Sequence, residues 1–377
     1  MALSPNAFEN LLQRAIALRD RGEFVAAVAD FDRAVALAPD DSWVWTNRAI
    51  ACGLMGHFDE AIDNFGRAIA FDPNDAHALA SRGETLREMG RLEEAFADLS
   101  RVIALDHAYF GAYLSRGYVL LQLGDLDAAA VDFDRAVGLG KGHPDAFVGQ
   151  GEVCHRRGDF DGAVAAFTRA LDVFPDHMAA LLGRGDMLRQ MARVEASVAD
   201  FDRALSFNPN AVAALVGRGL AYCQMRRFDE SLADLDRAVA VAPDDPNVWV
   251  GRGDMLRQTG HHAEAIASFS RALDLSPNHL WALIGRGVVY RMAHDLEASL
   301  SDLDRALKIN EYDPWLWTHR GETRHLLGQY EGAVSDFSQA LVIDADFSQA
   351  LICRSETYRQ MGRFVEAVED MNRANRT

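Results

Sequence analysis

Apolar residues along this chain recur with helical spacing, and the pattern restarts every 34 positions. Between Ser42 and Asp75, Trp45, Arg48, Ala49 and Cys52 fall at i, i+3, i+4 and i+7, the spacing of an apolar helix stripe. Gly56 breaks that stripe and predicts a tight turn. Ala61, Phe65 and Ala68 form a second stripe. Pro73 ends it, because the ring removes an N–H and disfavours helix in the residue before it. Small residues at Ala49, Ala61 and Ala68 allow close helix approach, and Trp45 and Phe65 fill the remaining space. The string Asp-Arg-Ala recurs at Asp32, Asp134, Asp202, Asp236 and Asp304, always separated by multiples of 34. Pro39, Pro73, Pro175, Pro209, Pro243 and Pro277 keep the same beat.

Taking that proline as position 32, units begin at Phe8, Ser42, Ala76, Phe110, Pro144, Met178, Val212, Pro246, Leu280, Pro314 and Ser348. Eleven of them fill residues 8–377 without insertion or deletion, the last cut short at Thr377; residues 1–7 form a short N-terminal extension. Each unit reads as two amphipathic helices. Neither helix can bury both flanks alone, so successive hairpins must stack. The expected fold is all-α, with 22 helices and no sheet.

The residues that carry this pattern resemble the tetratricopeptide repeat. Trp45, Ala49, Cys52, Ala61, Phe65, Ala68 and Pro73 match it, as do Trp249, Gly253, Leu256, Gly260, Ala265, Phe269, Ala272 and Pro277. The resemblance implies a right-handed α-solenoid of helix pairs whose first helices line a concave groove. It also implies a generic role, binding a peptide or protein segment in that groove as a scaffold, without catalysis.

Three features depart from the family. Position 7, usually leucine, is arginine at Arg14, Arg48, Arg82, Arg116, Arg184, Arg218, Arg252, Arg286, Arg320 and Arg354, with Gln150 in the fifth unit. A long cation beside a core stripe needs a carboxylate or must snorkel. Position 23 of the second helix supplies candidates at Asp30, Asp98, Asp132, Asp200, Asp234, Asp302, Asp336 and Asp370. The pairing predicted is an inter-helix clip with the aspartate of the same or next unit; a bond to an arginine three residues on, as from Asp200 to Arg203, is the alternative. Second, the groove chemistry of known members is missing. The lysines, Lys141 and Lys308, lie off the first helices, so the carboxylate clamp of co-chaperone members is absent. Position 6 runs Gln13, Asn47, Ser81, Ser115, then Gly149, Gly183, Gly217, Gly251, Gly285, then His319 and Cys353, which is not the asparagine ladder of glycosyltransferase members. Third, no polar helix covers the last hairpin, so structural homo-assembly through open ends is the alternative to the scaffold.

By the family's geometry, first-helix positions 2, 5, 9, 12 and 13 face the groove. Position 9 is acidic at Glu84, Glu152, Asp186, Asp254, Glu322 and Glu356. Position 12 is basic at Arg87, Arg189, Arg257, Arg291 and Arg359, among others. These charges either pair with each other at i, i+3 or read a charged, extended partner. Trp43, Trp281 and Trp315 sit at position 2. They either pack on the preceding unit, near Asn278 and Tyr312, or form a binding hot spot centred on units 8–10.

Composition narrows the classes. The 38 Lys and Arg against 56 Asp and Glu give a net charge of −18, which repels a nucleic-acid polyanion. No apolar stretch reaches the ~18–20 residues of a membrane span, and the N-terminus lacks the basic and apolar regions of a signal peptide. Cys52, Cys154, Cys223 and Cys353 are far apart, and the twelve histidines form no zinc spacing. Gly140-Lys141-Gly142 lacks the glycine and the strand of a phosphate loop. The Arg-Gly-Asp strings starting at Arg184 and Arg252 lie on first helices, not in loops. We expect no cofactor, no metal, no catalytic residue and a cytoplasmic location.

Overall fold

The computed structural model describes residues 5–376, with side chains from Ala7 onward, so residues 1–4 of the expected extension and Thr377 lie outside it. Among the described residues there are twenty-two helices and no strand. Residues up to Met187 form one compact unit and those from Leu188 a second. The first holds α1 (Pro5–Asp20), α2 (Phe24–Leu37), α3 (Ser42–Leu54), α4 (Phe58–Phe71), α5 (Ala76–Glu88), α6 (Leu92–Leu105), α7 (Phe110–Leu123), α8 (Leu126–Leu139), α9 (Pro144–Arg156) and α10 (Phe160–Val173). The division falls within α11 (Met178–Gln190). The second holds α12 (Val194–Phe207), α13 (Val212–Gln224), α14 (Phe228–Val241), α15 (Pro246–Gln258), α16 (His262–Leu275), α17 (Leu280–Met292), α18 (Leu296–Ile309), α19 (Pro314–Leu326), α20 (Tyr330–Ile343), α21 (Ser348–Gln360) and α22 (Phe364–Ala374). From α3 onward every odd-numbered helix starts on the first residue of a 34-residue repeat read from the sequence; α1 starts three residues ahead of Phe8.

Local chemistry sets these boundaries. Asp41, Asp75, Asp245 and Asp313 cap first helices by accepting backbone N–H groups of the first turn. Pro144, Pro246 and Pro314 occupy the first turn, where a missing N–H costs nothing. The turn between the helices needs a left-handed residue at position 15. Glycine supplies it at Gly22, Gly56, Gly90, Gly124, Gly158, Gly260, Gly328 and Gly362, whereas Ala192, Arg226 and His294 adopt it as non-glycines.

Within each unit, first helices such as α3, α7, α15 and α19 pack on their own second helix and on the second helix before it. Consecutive first helices, such as α3 and α5 or α17 and α19, also touch, whereas within each unit no two second helices do among the described residues. Within each unit the first helices are therefore crowded and form the inner wall. The core follows the repeat. Phe133, Phe167 and Phe269 at position 24 are almost fully buried. A side chain at either Gly117 or Gly149 would meet the Phe133 ring within 3 Å, and the pairs Gly151/Gly183 and Gly253/Gly285 flank Phe167 and Phe269 likewise. Glycine at positions 8 and 6 thus makes a slot for one ring between successive first helices.

The position-7 arginine forms the clip expected from sequence and a second contact that the sequence reading missed. Arg14, Arg82, Arg116, Arg218, Arg286, Arg320 and Arg354 each grip the position-23 aspartate of the same repeat through Nε and Nη2, at 2.6–3.0 Å. The remaining Nη1 reaches backward, to position 25 of the preceding repeat: Arg218 to Asp202, Arg320 to Asp304, Arg116 to Ser100, Arg286 to Ser270, Arg354 to Ser338 and Arg184 to Thr168. Where position 23 is not aspartate, the backward contact takes over. Arg48, Arg252 and Gln150, which face Asn64, Ser268 and Ala166 there, bond Asp32, Asp236 and Asp134; Arg252 also donates to Ser268 at 2.8 Å, and Arg48 pairs with Glu60 of its own second helix at 2.9 Å. The position-23 aspartates are buried, those at position 25 are about half exposed, and the arginines from Arg48 on are mostly covered; Arg14 leaves 57% of its side chain exposed.

Two outcomes are expected. Cutting the staple in Arg218→Ala leaves Asp234 buried without its bidentate partner, and should cost about 3 kcal/mol in denaturant melts; a loss below about 1 kcal/mol would place the pair among weak surface contacts. Relieving the left-handed strain in Arg226→Gly or His294→Gly should raise stability by about 1 kcal/mol, and a lowered Tm in both would contradict the strain.

Candidate functional site

The inner wall presents position 2 to solvent. Trp281 and Trp315 leave 64% and 52% of their area exposed, on the neighbouring helices α17 and α19. In the first unit Trp43 on α3 is 46% exposed. The core tryptophans differ: Trp45, Trp249 and Trp317 each donate the indole N–H to a backbone carbonyl six residues back. The position-2 rings are about half exposed or more. Tyr312 is among the most exposed side chains, and Trp315 meets Phe347 edge-on at 4.8 Å, toward the following repeat. His319, one turn along α19, lies 6.0 Å from the same indole.

Beside this shelf a charged cluster crosses three first helices. Arg291 of α17 pairs through Nη1 with Glu322 of α19. His319 Nδ1 lies 3.3 Å from the same carboxylate oxygen, and Gln349 and Cys353 of α21 donate to the other, at 3.2 and 3.5 Å. His325 Nδ1 lies 2.8 Å from the Thr357 hydroxyl. A cavity of about 200 Å3 opens here among Arg291, Glu322, His325, Leu326, Cys353 and Glu356. It is smaller than the ~300–1,000 Å3 of a drug-sized ligand site, so it suits one side chain or small group. Burial pushes the Glu322 carboxyl up, but the hydrogen bond from His319 and the charge of Arg291 outweigh it and hold it down at about 2. Burial, with Glu322 adding to it, pushes the Cys353 thiol up to about 12.

The expected i, i+3 pairing holds in part. Arg257 bonds Asp254 at 3.3 Å and Arg359 bonds Glu356 at 3.2 Å, each within one helix. Burial raises Asp254 against the pull of Arg257. Glu322 departs from the pattern by pairing across repeats with Arg291, and Glu84 departs from it by accepting the Ser115 hydroxyl of α7 at 2.8 Å. Arg87 and Glu152 are half-buried on α5 and α9. Asp186 and Arg189 are half-buried on α11, and neither is without a partner. The sequence reading named Trp281, Arg291, Trp315 and Glu322, and His325 as one of the basic residues at position 12, but missed Phe347 and Gln349. Phe347 had a readable signal: it stands at position 34, where Asp41, Asp75, Asp245 and Asp313 cap helices and an aromatic ring cannot.

Glu322 also gives a pH dependence. Its folded value lies below the usual carboxylate range, so its contribution is present above about pH 4.5 and fades as the pH falls through about 2. Glu322→Gln should lose stability at neutral pH and lose less than the wild type on acidification to about pH 3. Parallel acid limbs for the two proteins would contradict this.

Comparison with known proteins follows the same repeat. Tetratricopeptide repeat profiles match residues 8–51, 42–75, 114–167, 150–212 and 216–279, and a TPR repeat profile matches 83–124. No curated protein matches the chain. Among solved structures, a tetratricopeptide repeat protein from Parabacteroides merdae aligns with a TM-score of 0.54 at 20% identity, covering 66% of this chain and 98% of its own. The Cut9–Hcn1 hetero-tetramer of APC/C aligns with a TM-score of 0.52 at 11% identity, covering 99% of this chain and 87% of its own. At these identities the two structures speak for the fold alone. With the 34-residue hairpins and the profile matches in agreement, the chain belongs to the tetratricopeptide repeat family.

Proposed function

We propose that this protein is a non-catalytic interaction scaffold that holds an extended segment of a partner protein against its first helices, with the main contact at Trp281 and Trp315. The observation that carries this reading is the pair of solvent-exposed indoles at the same position of adjacent first helices. Arg291, Glu322, Asp254 and Arg257 border them with polar groups already fixed in ion pairs. Exposed aromatic surface with preorganised arginine at its edge suits a protein interface. The thiols fit the non-catalytic reading, because burial raises all four and leaves none as a ready thiolate nucleophile. No described helix is long and apolar enough to cross a membrane. A cytoplasmic location is part of the proposal, consistent with four unbridged cysteines.

A second reading, self-association, is favoured by one surface. On α22 Phe364, Val365, Val368 and Met371 are exposed together. If copies associate through it, light scattering should report a mass that rises with concentration, and Val368→Glu should abolish the rise.

The groove reading is tested by the double variant Trp281→Ala/Trp315→Ala. Partner capture from native lysate, quantified by mass spectrometry, should fall by at least tenfold with an unchanged Tm; in affinity this is about 2 kcal/mol. A large Tm loss would assign the indoles to packing, and capture of the same proteins at the same yield would end the reading.

A further inference from the structure

The first unit carries two adjoining inner-wall cavities that share Ile50 and His77, of about 320 and 230 Å3. Apart from the exposed ring of His77, the polar groups of the larger are already committed. Asp75 accepts from the backbone of His77 and Ala78 through one oxygen and from Ser42 and Thr46 through the other. Arg19 donates to Asn47 and to Asp20. What this cavity offers an incoming group is the indole of Trp43, which has no ring partner among the described residues.

The smaller cavity is different. Glu84 and Glu88 stand one turn apart on α5, both exposed. Only one oxygen of Glu84 is engaged, by Ser115, and Glu88 has no partner among the described residues. Arg87 lies between them in sequence yet pairs with neither; its charge acts on Tyr118 instead. Like charges at i, i+4 repel each other. No other repeat has acids at both positions 9 and 13. At the same two positions α3 carries Ile50 and Leu54, an aliphatic strip along the facing wall. The surroundings reinforce the sign: residues 1–187 hold seventeen Lys and Arg against twenty-nine Asp and Glu.

We propose that this groove takes a basic, extended segment of the partner protein. One Lys or Arg would lie with its alkyl stem along Ile50 and Leu54 and its cation between Glu84 and Glu88, as long basic side chains do when an apolar strip borders acceptors. A neighbouring residue of the segment would rest on Trp43. The cation relieves the repulsion between the two carboxylates, and the negative field of the unit steers it in. The inference rests on the scaffold reading and adds the chemistry of the partner.

The test uses the full chain and a fluorescein-labelled oligolysine peptide, with an oligoglutamate peptide as the opposite charge. Fluorescence anisotropy at low salt should detect oligolysine binding and none of oligoglutamate. Glu84→Gln/Glu88→Gln should weaken it roughly tenfold, and Trp43→Ala several-fold, each with unchanged Tm. The control Asp63→Asn/Asp172→Asn removes the same charge from the outer helices α4 and α10 and should change affinity less than about twofold. Equal weakening by control and groove variants would reduce the effect to net charge and overturn the proposal, as would absence of oligolysine binding or preference for oligoglutamate. The two readings fail separately. If Trp281→Ala/Trp315→Ala loses partner capture while Glu84→Gln/Glu88→Gln leaves oligolysine binding intact, the scaffold stands and the basic segment does not. If oligolysine binding follows Glu84 and Glu88 while the tryptophan variant captures as before, the reverse holds.

Discussion

The position-7 arginine, present in ten of the eleven repeats, constrains most of what this chain can do. At position 7 its planar guanidinium closes a bidentate pair with the aspartate sixteen residues ahead and reaches the side chain sixteen residues behind. Arg116, Arg218, Arg286, Arg320 and Arg354 each tie their own hairpin together and tie it to the hairpin before. Lysine could not replace the arginine, because a point charge cannot fill three directed bonds at once. The charge is expensive to cover, but a covered guanidinium with its donors satisfied has few other places to go. A sliding or rotated neighbour would break the third bond, the one from the covered guanidinium to Asp, Ser or Thr at position 25 of the hairpin before. The staple therefore fixes register as well as adhesion, a role the hydrophobic effect performs poorly because it has no direction.

The apolar layer answers the same requirement by shape. A ring at position 24 enters a slot whose walls are glycines of two successive first helices. Glycine weakens a helix by roughly 1 kcal/mol at each such site. Close contact between rings and bare backbone offsets that cost through packing. Since the slot and the staple are both built between neighbouring hairpins, stability accumulates step by step along the array. The first-helix positions that take no part in slot or staple are left to vary. Positions 2, 9, 12 and 13 are where this chain keeps its exposed indoles and its uneven charges.

The repeat was legible because helix periodicity, turn glycine and proline all restart on the same count, so eleven weak signals reinforced one another. The Arg–Asp clip was legible because covariation within one chain stands in for an alignment: Gln150 meets Ala166, where the other pattern has arginine and aspartate. Its backward half was not, because position 25 alternates Asp, Ser and Thr, and a hydroxyl does not advertise a charged partner. The glycines at position 6 were read as a missing asparagine ladder; their actual neighbour is a ring from the preceding second helix, which no local pattern reveals. In the second unit, Trp281, Trp315, Arg291 and Glu322 were readable as residue types at inner positions. The pairing of Arg291 with Glu322 was not, because i, i+3 spacing within a helix suggested closer partners than the one 31 residues away.

The two inner-wall sites differ in how their charges are spent. Around Trp315 the carboxylate is saturated: Glu322 gathers Arg291, Gln349, Cys353 and the His319 ring, so the cluster is a fixed rim beside an aromatic shelf. In the cavity next to that of Trp43 the reverse holds, since Glu84 and Glu88 retain acceptor oxygens and, among the described residues, no cation pairs with them. A saturated rim selects by shape and burial, because a partner gains little by approaching charges that are already neutralised. An unsaturated pair selects by sign, acts at longer range and weakens with salt. On one repeat frame, therefore, the second unit carries a neutralised rim beside its exposed indoles, and the first an unbalanced carboxylate pair. What separates the two roles is whether the neighbouring first helix supplies a counter-charge: α17 does so for Glu322 through Arg291, and α7 answers Glu84 only with the hydroxyl of Ser115.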